Sequence, residues 1–176
     1  NTVEIGERPH LLATVRDISE RKESEAKLEY LAHHDSLTGL LNRHALHWEM
    51  DRFLQNGAKK GHQALMLIDL DRFKEINDTL GHHIGDKILQ AIGPLLQNAL
   101  NQRPALISRL GGDEFAIFLS NVEGSDALSK ISHAVLRSIK QPLEVDAMKL
   151  EIDASIGVAL FPQDGNNSHE LLRSAD

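Results

Sequence analysis

The chain has 176 residues, 41% hydrophobic and 26% charged, enough for one medium domain with a sizeable core and a fragment of a neighbour. A net charge of −7 argues against a nucleic-acid coat, whose surface is basic, but leaves room for a nucleotide held by a few local cations and a metal. The absence of Cys excludes disulfide scaffolds and thiolate metal sites, no apolar run reaches the roughly 20 residues of a membrane span, and no signal-peptide pattern opens the chain. These features lead us to expect a cytoplasmic segment without membrane contact. Because the chain opens on Asn1, it reads as an excised piece, and an anchor elsewhere in the parent protein is compatible with it.

In chain order, His10 to Ile18 is apolar and partly alternating and predicts a short strand, the last of a preceding domain over residues 1–18. Residues 19–34 are densely charged. Glu23 and Lys27 are spaced for an i,i+4 pair, and Leu28, Leu31 and Ala32 form a narrow apolar stripe. This is a connecting helix, either paired with its copy in a dimer or solvated alone. The main domain is expected over residues 35–176. Leu46, Met50 and Phe53 have helical spacing, and Gly57 and Gly61 mark the break that follows.

Ala64 to Ile68 is an unbroken apolar run, expected as a buried central strand within Gln63 to Leu70. Ile84, Ile88, Ile92, Leu95 and Ala99 predict one face of a helix. Ala105 to Leu110 and Glu114 to Leu119 flank a Gly-Gly turn and predict a hairpin. Leu128, Ile131, Val135 and Ile139 predict another helix face. Leu150 to Leu160 alternates strictly, predicting one half-buried strand, and a helix starts near Ser168 and is cut off at Asp176. Hairpins covered by helices give an α+β class.

Three groups of residues carry chemistry. Asp69 and Asp71 close the apolar run and would share one side if the strand persists. Charge at the end of a core strand needs compensation, which a hard divalent cation supplies; the alternative is that Asp71 caps the Arg72–Leu80 segment. The second group is Arg109-Leu110-Gly111-Gly112-Asp113-Glu114-Phe115, where two glycines permit positive φ and keep side chains clear of a ligand. A surface turn decorated with acids reads equally well there. Two acidic strand ends together favour a metal–phosphate site. The third group runs from Phe73 through Lys74 and Asn77 to His82 and Asp86. Here Lys74 is placed to meet a phosphate, and Asn77 and Asp86 offer the donors and acceptors a purine edge requires. A carboxylate accepts from the N1–H and N2–H₂ of guanine, a pattern adenine lacks. Neighbouring His pairs (His44 and His47, His82 and His83) do not amount to a closed zinc site, which needs four matched ligands.

Four strings occur in one order: HDSLTGLLNR at 34–43, LIDLDRFKEINDTLGHHIGD at 67–86, RLGGDEF at 109–115 and SIGVALFP at 155–162. From about residue 30 onward the chain resembles the GGDEF family of diguanylate cyclases. The resemblance implies a central, mainly antiparallel five-stranded sheet wrapped by helices, similar to nucleotidyl cyclases and polymerase palms. It implies Mg²⁺ (or Mn²⁺) on Asp69, Asp113 and the Leu70 carbonyl, with Asp113 or Glu114 helping to deprotonate a ribose 3′-hydroxyl. Asn77, His82 and Asp86 would contact GTP. Lys74 would offset phosphate charge, with the backbone around Phe73 donating to it, Arg109 as a second cation, and Gly111 and Gly112 leaving the approach open. The activity implied is condensation of two GTP into cyclic di-GMP across a homodimer.

The pattern also departs from the family. Many members carry an inhibitory product site, Arg-x-x-Asp, before the glycines. Here the matching positions are Gln102 and Ala105, with Arg103 out of register, so no such site is expected. The family continues past Asp176 into a helix with cations for the terminal phosphates, so a chain ending there should bind GTP weakly and turn over poorly. Residues 14–22 resemble the end of a PAS sensor domain entering a signalling helix, and 142–165 resemble proteins in which an EAL phosphodiesterase domain follows. The alternative reading is a catalytically weak GTP-binding module that regulates such a phosphodiesterase. A pure dimerisation domain is a third, disfavoured by the intact acids.

Overall fold

The computed structural model describes residues 2–5, 8–11, 19–55 and 62–176, and the chain divides into two compact units, Asn1–Leu31 and Ala32–Asp176. In the first unit, β1 (Thr2–Ile5) and β2 (Arg8–Leu11) form an antiparallel hairpin with Thr2 opposite Leu11. The strand expected over His10 to Ile18 therefore begins earlier, and residues 12–18, with most of the PAS-like segment, lie outside the described residues. Helix α1 (Ser19–His33) follows as expected, with Leu28, Tyr30 and Leu31 exposed; the side chain of Glu23 is outside the description.

The second unit is built on a five-stranded sheet in the order β3-β5-β6-β4-β9. Its strands are β3 (Leu41–Asn42), β4 (His62–Leu70), β5 (Ala105–Gly111), β6 (Glu114–Val122) and β9 (Ala154–Phe161). Only β3 and β5 pair in parallel, so the sheet is mainly antiparallel, as expected. The apolar run is buried because β4 has neighbours on both edges and helices on both faces. Ala64, Met66, Ile68 and Leu70 join a core with α4 (His82–Leu100) and α5 (Ser125–Ile139). Leu65 and Leu67 join a second core with α2 (Arg43–Gln55) and α6 (Ser168–Ala175). Since strand residues alternate, Asp69 continues the α2–α6 side of the sheet.

Three expectations are refined. Leu46 and Met50 are fully buried, but Phe53 is half exposed and meets Phe118 edge-on at 5.9 Å between centroids. In α4 the buried face ends on Leu96 and Leu100, with Leu95 and Ala99 only partly covered. The alternating stretch from Leu150 to Leu160 is not one strand: β8 (Met148–Leu150) pairs with β7 (Leu143–Val145), and only β9 joins the sheet. Alternation reports which side chains are inward but not which strand is the partner. The Asp71 N–H, donating to the Asp153 carbonyl at 2.9 Å, pins the break between β8 and β9.

Helix α6 opens with a reciprocal cap. The Asn167 side chain accepts from the Glu170 N–H at 2.9 Å, and Glu170 accepts from the Asn166 N–H at 2.7 Å. Its other end rests on β9, where a Cβ at Gly157 would stand 1.7 Å from the Ala175 carbonyl oxygen. Gly157→Ala should therefore push α6 off the sheet and cost about 1–3 kcal/mol, read as a lower urea midpoint at unchanged slope.

Candidate active site

The acids converge at the ends of β4 and β6. Asp69 lies directly opposite Glu114 in the strand register, and the Leu70 N–H donates to the Asp113 carbonyl at 3.4 Å. Like charges placed opposite each other repel. The effect is visible at Asp69: burial pushes its carboxyl above the usual range, and the charges of Asp113, Glu114, Asp71 and Asp176 push it further. Asp176 is a member of this set that sequence reasoning missed. It follows α6, and the close seat of that helix on Gly157 brings it near. No local pattern around Asp176 signals this, because the proximity is tertiary.

Asp71 does not cap the helix that follows. The strand ends at Leu70, and the chain turns through Arg72 in the left-handed region at φ 59°, but Asp71 still lines one cavity with Asp69. Arg72, with no side-chain cap, is the N-cap of α3 (Phe73–Leu80), and Asp71 instead accepts from the Ser155 hydroxyl at 2.8 Å.

The glycine turn matches expectation in geometry. Gly111 and Gly112 have φ of 139° and 54°, and an added Cβ would meet nothing within 4 Å, so conformation rather than crowding requires them. Arg109, expected as a phosphate cation, is engaged within the protein. Its guanidinium donates to the Gly112 carbonyl at 2.7 and 3.1 Å and to both Asp35 oxygens at 3.2 Å, and its side chain is only 12% exposed. Asp35 also accepts from the Thr38 N–H at 2.9 Å and hydroxyl at 2.7 Å. Burial raises the Asp35 carboxyl, but the Thr38 bonds and Arg109 outweigh it and leave it below the usual range. A depressed folded value adds stability that is present above the ordinary Asp range and lost as pH falls through the folded value. Asp35→Asn should accordingly be less stable than the parent at pH 7, with the gap closing as pH falls below the ordinary Asp range in urea titrations.

Among the described residues Glu114 has one cationic partner, Arg43, at 3.1 Å; Arg43 also donates through Nε to the Leu110 carbonyl at 3.2 Å. The sequence reading included Arg43 in a motif without giving it a task.

The third group sits at the α3–α4 corner. The Phe73 side chain is buried in the core, so only its backbone is available to a ligand. Lys74, on the first turn of α3, and His82 and Asp86, at the start of α4, are exposed and make no side-chain hydrogen bond or ion pair among the described residues. Asn77 is brought against α4: a Cβ at Gly85 would lie 2.0 Å from its Oδ1, an atom that is buried without a partner. A buried acceptor left unpaired is costly. Two cavities flank the acids. One of about 760 Å³ is lined by Asp69, Asp71, Arg72 and Glu75, and one of about 460 Å³ by Arg43, Glu114, Arg173 and Asp176. Neither is lined by Lys74, Asn77, His82 or Asp86.

The donor chemistry suits a hard divalent cation such as Mg²⁺ or Mn²⁺. Among the described residues no three His, Asp or Glu side chains form a ready cage. Mg²⁺ is usually held by one or two carboxylates plus substrate phosphates rather than by an all-protein cage. Asp69 and Asp113 with the Leu70 carbonyl offer hard oxygen donors, and a cation there would relieve the repulsion that raises Asp69.

A family described as "Diguanylate cyclase, GGDEF domain" matches residues 32–176. The chain belongs to the GGDEF family. It is 39% identical over 158 residues to the diguanylate cyclase TpbB of Pseudomonas aeruginosa, covering 88% of this chain and 36% of TpbB. It is also 36% identical over 153 residues to the cyclic di-GMP phosphodiesterase NbdA of the same species, covering 86% of this chain and 19% of NbdA. Among solved structures, a sensory box/GGDEF family protein from Caulobacter crescentus superposes with a TM-score of 0.76 at 35% identity, over 82% of this chain and 93% of that one. This GGDEF domain thus spans about a third or less of those curated relatives. Its unit of residues 32–176 coincides with the matched span, and among the described residues no helix is long and apolar enough to cross a membrane.

Proposed function

We propose that this GGDEF domain is a diguanylate cyclase that condenses two GTP into cyclic di-GMP and releases two pyrophosphates. The observation that carries the reading is the convergence of Asp113 and Glu114 on a partly desolvated Asp69 whose carboxyl is pushed up, beside a glycine turn open to a ligand. Asp69, Asp113 and the Leu70 carbonyl would hold Mg²⁺ or Mn²⁺. Bound there, the ion would stabilise charge on the α-phosphate and lower the pKa of the attacking hydroxyl.

The chain's own groups supply the rest. Asp113 or Glu114 accepts the proton of the ribose 3′-hydroxyl. The free N–H groups at the start of α3 and the Lys74 ammonium face the phosphates. The buried Asn77 Oδ1 takes a donor from guanine, Asp86 accepts from its N1–H and N2–H₂, and His82 contacts the same nucleotide. Gly111 and Gly112 leave room for approach, and Arg109 fixes the turn instead of touching phosphate. Each domain carries one GTP, so two domains must face each other for both 3′-hydroxyls to attack. In a longer protein, a PAS domain before α1 and an EAL domain after α6 would bring such pairs together or use their product.

A second reading, a GTP-binding module that regulates an attached phosphodiesterase, is supported by the likeness to NbdA. Incubating the protein that carries this domain with GTP and Mg²⁺ and separating the nucleotides decides between them. Cyclic di-GMP supports the cyclase; tight GTP binding without product supports the regulatory module.

A further inference from the structure

We infer that Asp71 is a positioning residue: with Ser155 it fastens the turn between β4 and α3 to β9, and it serves there as a hydrogen-bond acceptor rather than as a metal ligand. What this does for GTP rests on the cyclase reading, whereas the fastening rests on geometry alone. Strands β4 and β9 pair through Asp69 opposite Ser155 and Leu70 opposite Ala154, and residues opposite each other in an antiparallel pair share a face. Ser155 therefore stands on the side of Asp69. Asp71 extends the ladder by one step, its N–H donating to the Asp153 carbonyl at 2.9 Å, while its carboxylate accepts from the Ser155 hydroxyl at 2.8 Å. Asp153 is itself tied to Lys140, the residue that follows α5, at 2.7 Å.

The next residue shows why two anchors are needed. Arg72 is left-handed at φ 59° and ψ 24°, a conformation that crowds a Cβ, and no side chain caps α3 behind it. Such a turn persists only where its surroundings over-determine it. The Arg72 carbonyl accepts from the Glu75 N–H at 2.9 Å and the Ile76 N–H at 3.3 Å, and the N–H groups of Phe73 and Lys74 are left without an intrahelical acceptor. The fastened turn thus sets where those two donors and the Lys74 side chain stand against the phosphates. The charge on Asp71 has no such use. Its one side-chain hydrogen-bond partner among the described residues is a neutral hydroxyl, and Lys140, the cation that feels it, is already paired with Asp153. The cavity it shares with Asp69 is also lined by Glu75, Glu151 and Asp153. An amide oxygen in the same place would accept the same bond without adding to that group of acids.

The test is a double-mutant cycle on Asp71 and Ser155, read by steady-state kinetics and, on the nucleotide-free protein, by amide hydrogen exchange at Glu75 and Ile76. The bond is exposed and the backbone anchor on Asp153 survives in every variant, so all should fold as the parent does. Asp71→Ala and Ser155→Ala should each raise KM for GTP about tenfold with kcat within about threefold, and the double variant should lose less than about twofold more. Asp71→Asn should stay within about twofold of the parent, because its amide oxygen still accepts from Ser155. Exchange at the two amides should quicken about tenfold in both Ala variants and stay at the parental rate in Asp71→Asn. Asp71→Asn as damaging as Asp71→Ala, with Ser155→Ala harmless, would make the carboxylate a charge or a metal ligand and overturn the inference. Additive losses, or a fall in kcat alone, overturn it too. A parent that makes no cyclic di-GMP defeats the cyclase reading, yet the exchange comparison needs no nucleotide and still decides: equal protection in parent and variants means that the pair does not hold the turn.

Discussion

Asp113→Ala should reduce cyclic di-GMP formation by at least about 10³-fold while leaving the domain folded. The side chain follows a glycine turn whose shape is held by the Arg109 bonds to the Gly112 carbonyl, and among the described residues it makes no hydrogen bond of its own. Its loss removes one of the two carboxylates proposed to hold metal and a negative charge felt by Asp69. The fold should therefore tolerate the change, with unaltered circular dichroism and a melting temperature equal to or above that of the parent. A variant that keeps more than a tenth of the parental rate would remove Asp113 from the chemistry. A parent as inactive as its variant, but binding GTP, would move the domain to the regulatory reading.

How much of this was legible in the sequence depended on how local each cause is. The Ala64 to Ile68 run, the helix faces of α4 and α5, and the hairpin around Gly111 and Gly112 are set by periodicity and turn chemistry, and the structure realises them. Alternation from Leu150 to Leu160 was equally clear, but it carried no partner information and covers a hairpin strand, a break and a sheet strand. At the site, the acids at 69, 113 and 114 are visible as strand ends. Asp176 and Arg43 were not, because their roles arise from the seat of α6 on Gly157 and from the laying of β3 on β5. Arg109 likewise has a partner that no local pattern signals. A cation beside a candidate phosphate site invites a ligand role, yet the nearest anion is Asp35, brought there by the fold.

The Asp69 carboxyl allows a test that needs no turnover. Its folded value is raised, so keeping it ionised costs the metal-free domain stability at neutral pH, and that cost is relieved as pH falls through the raised value toward the ordinary Asp range near about 4. Asp69→Asn removes the charge outright. Without metal, the variant should melt above the parent at pH 7, and the difference should shrink on acidification because protonation then does for the parent what the substitution did for the variant. Metal should reverse the order. An ion bound only to the folded state at a hundred times its dissociation constant adds about 2.7 kcal/mol, or roughly 5–10 °C for a domain of this size. The parent should show that rise with Mn²⁺ and the variant little of it. Equal Mn²⁺ shifts in the two proteins would place the ion elsewhere. A metal-free variant melting below the parent at pH 7 would mean that repulsion from Asp113, Glu114, Asp71 and Asp176 does not govern the site.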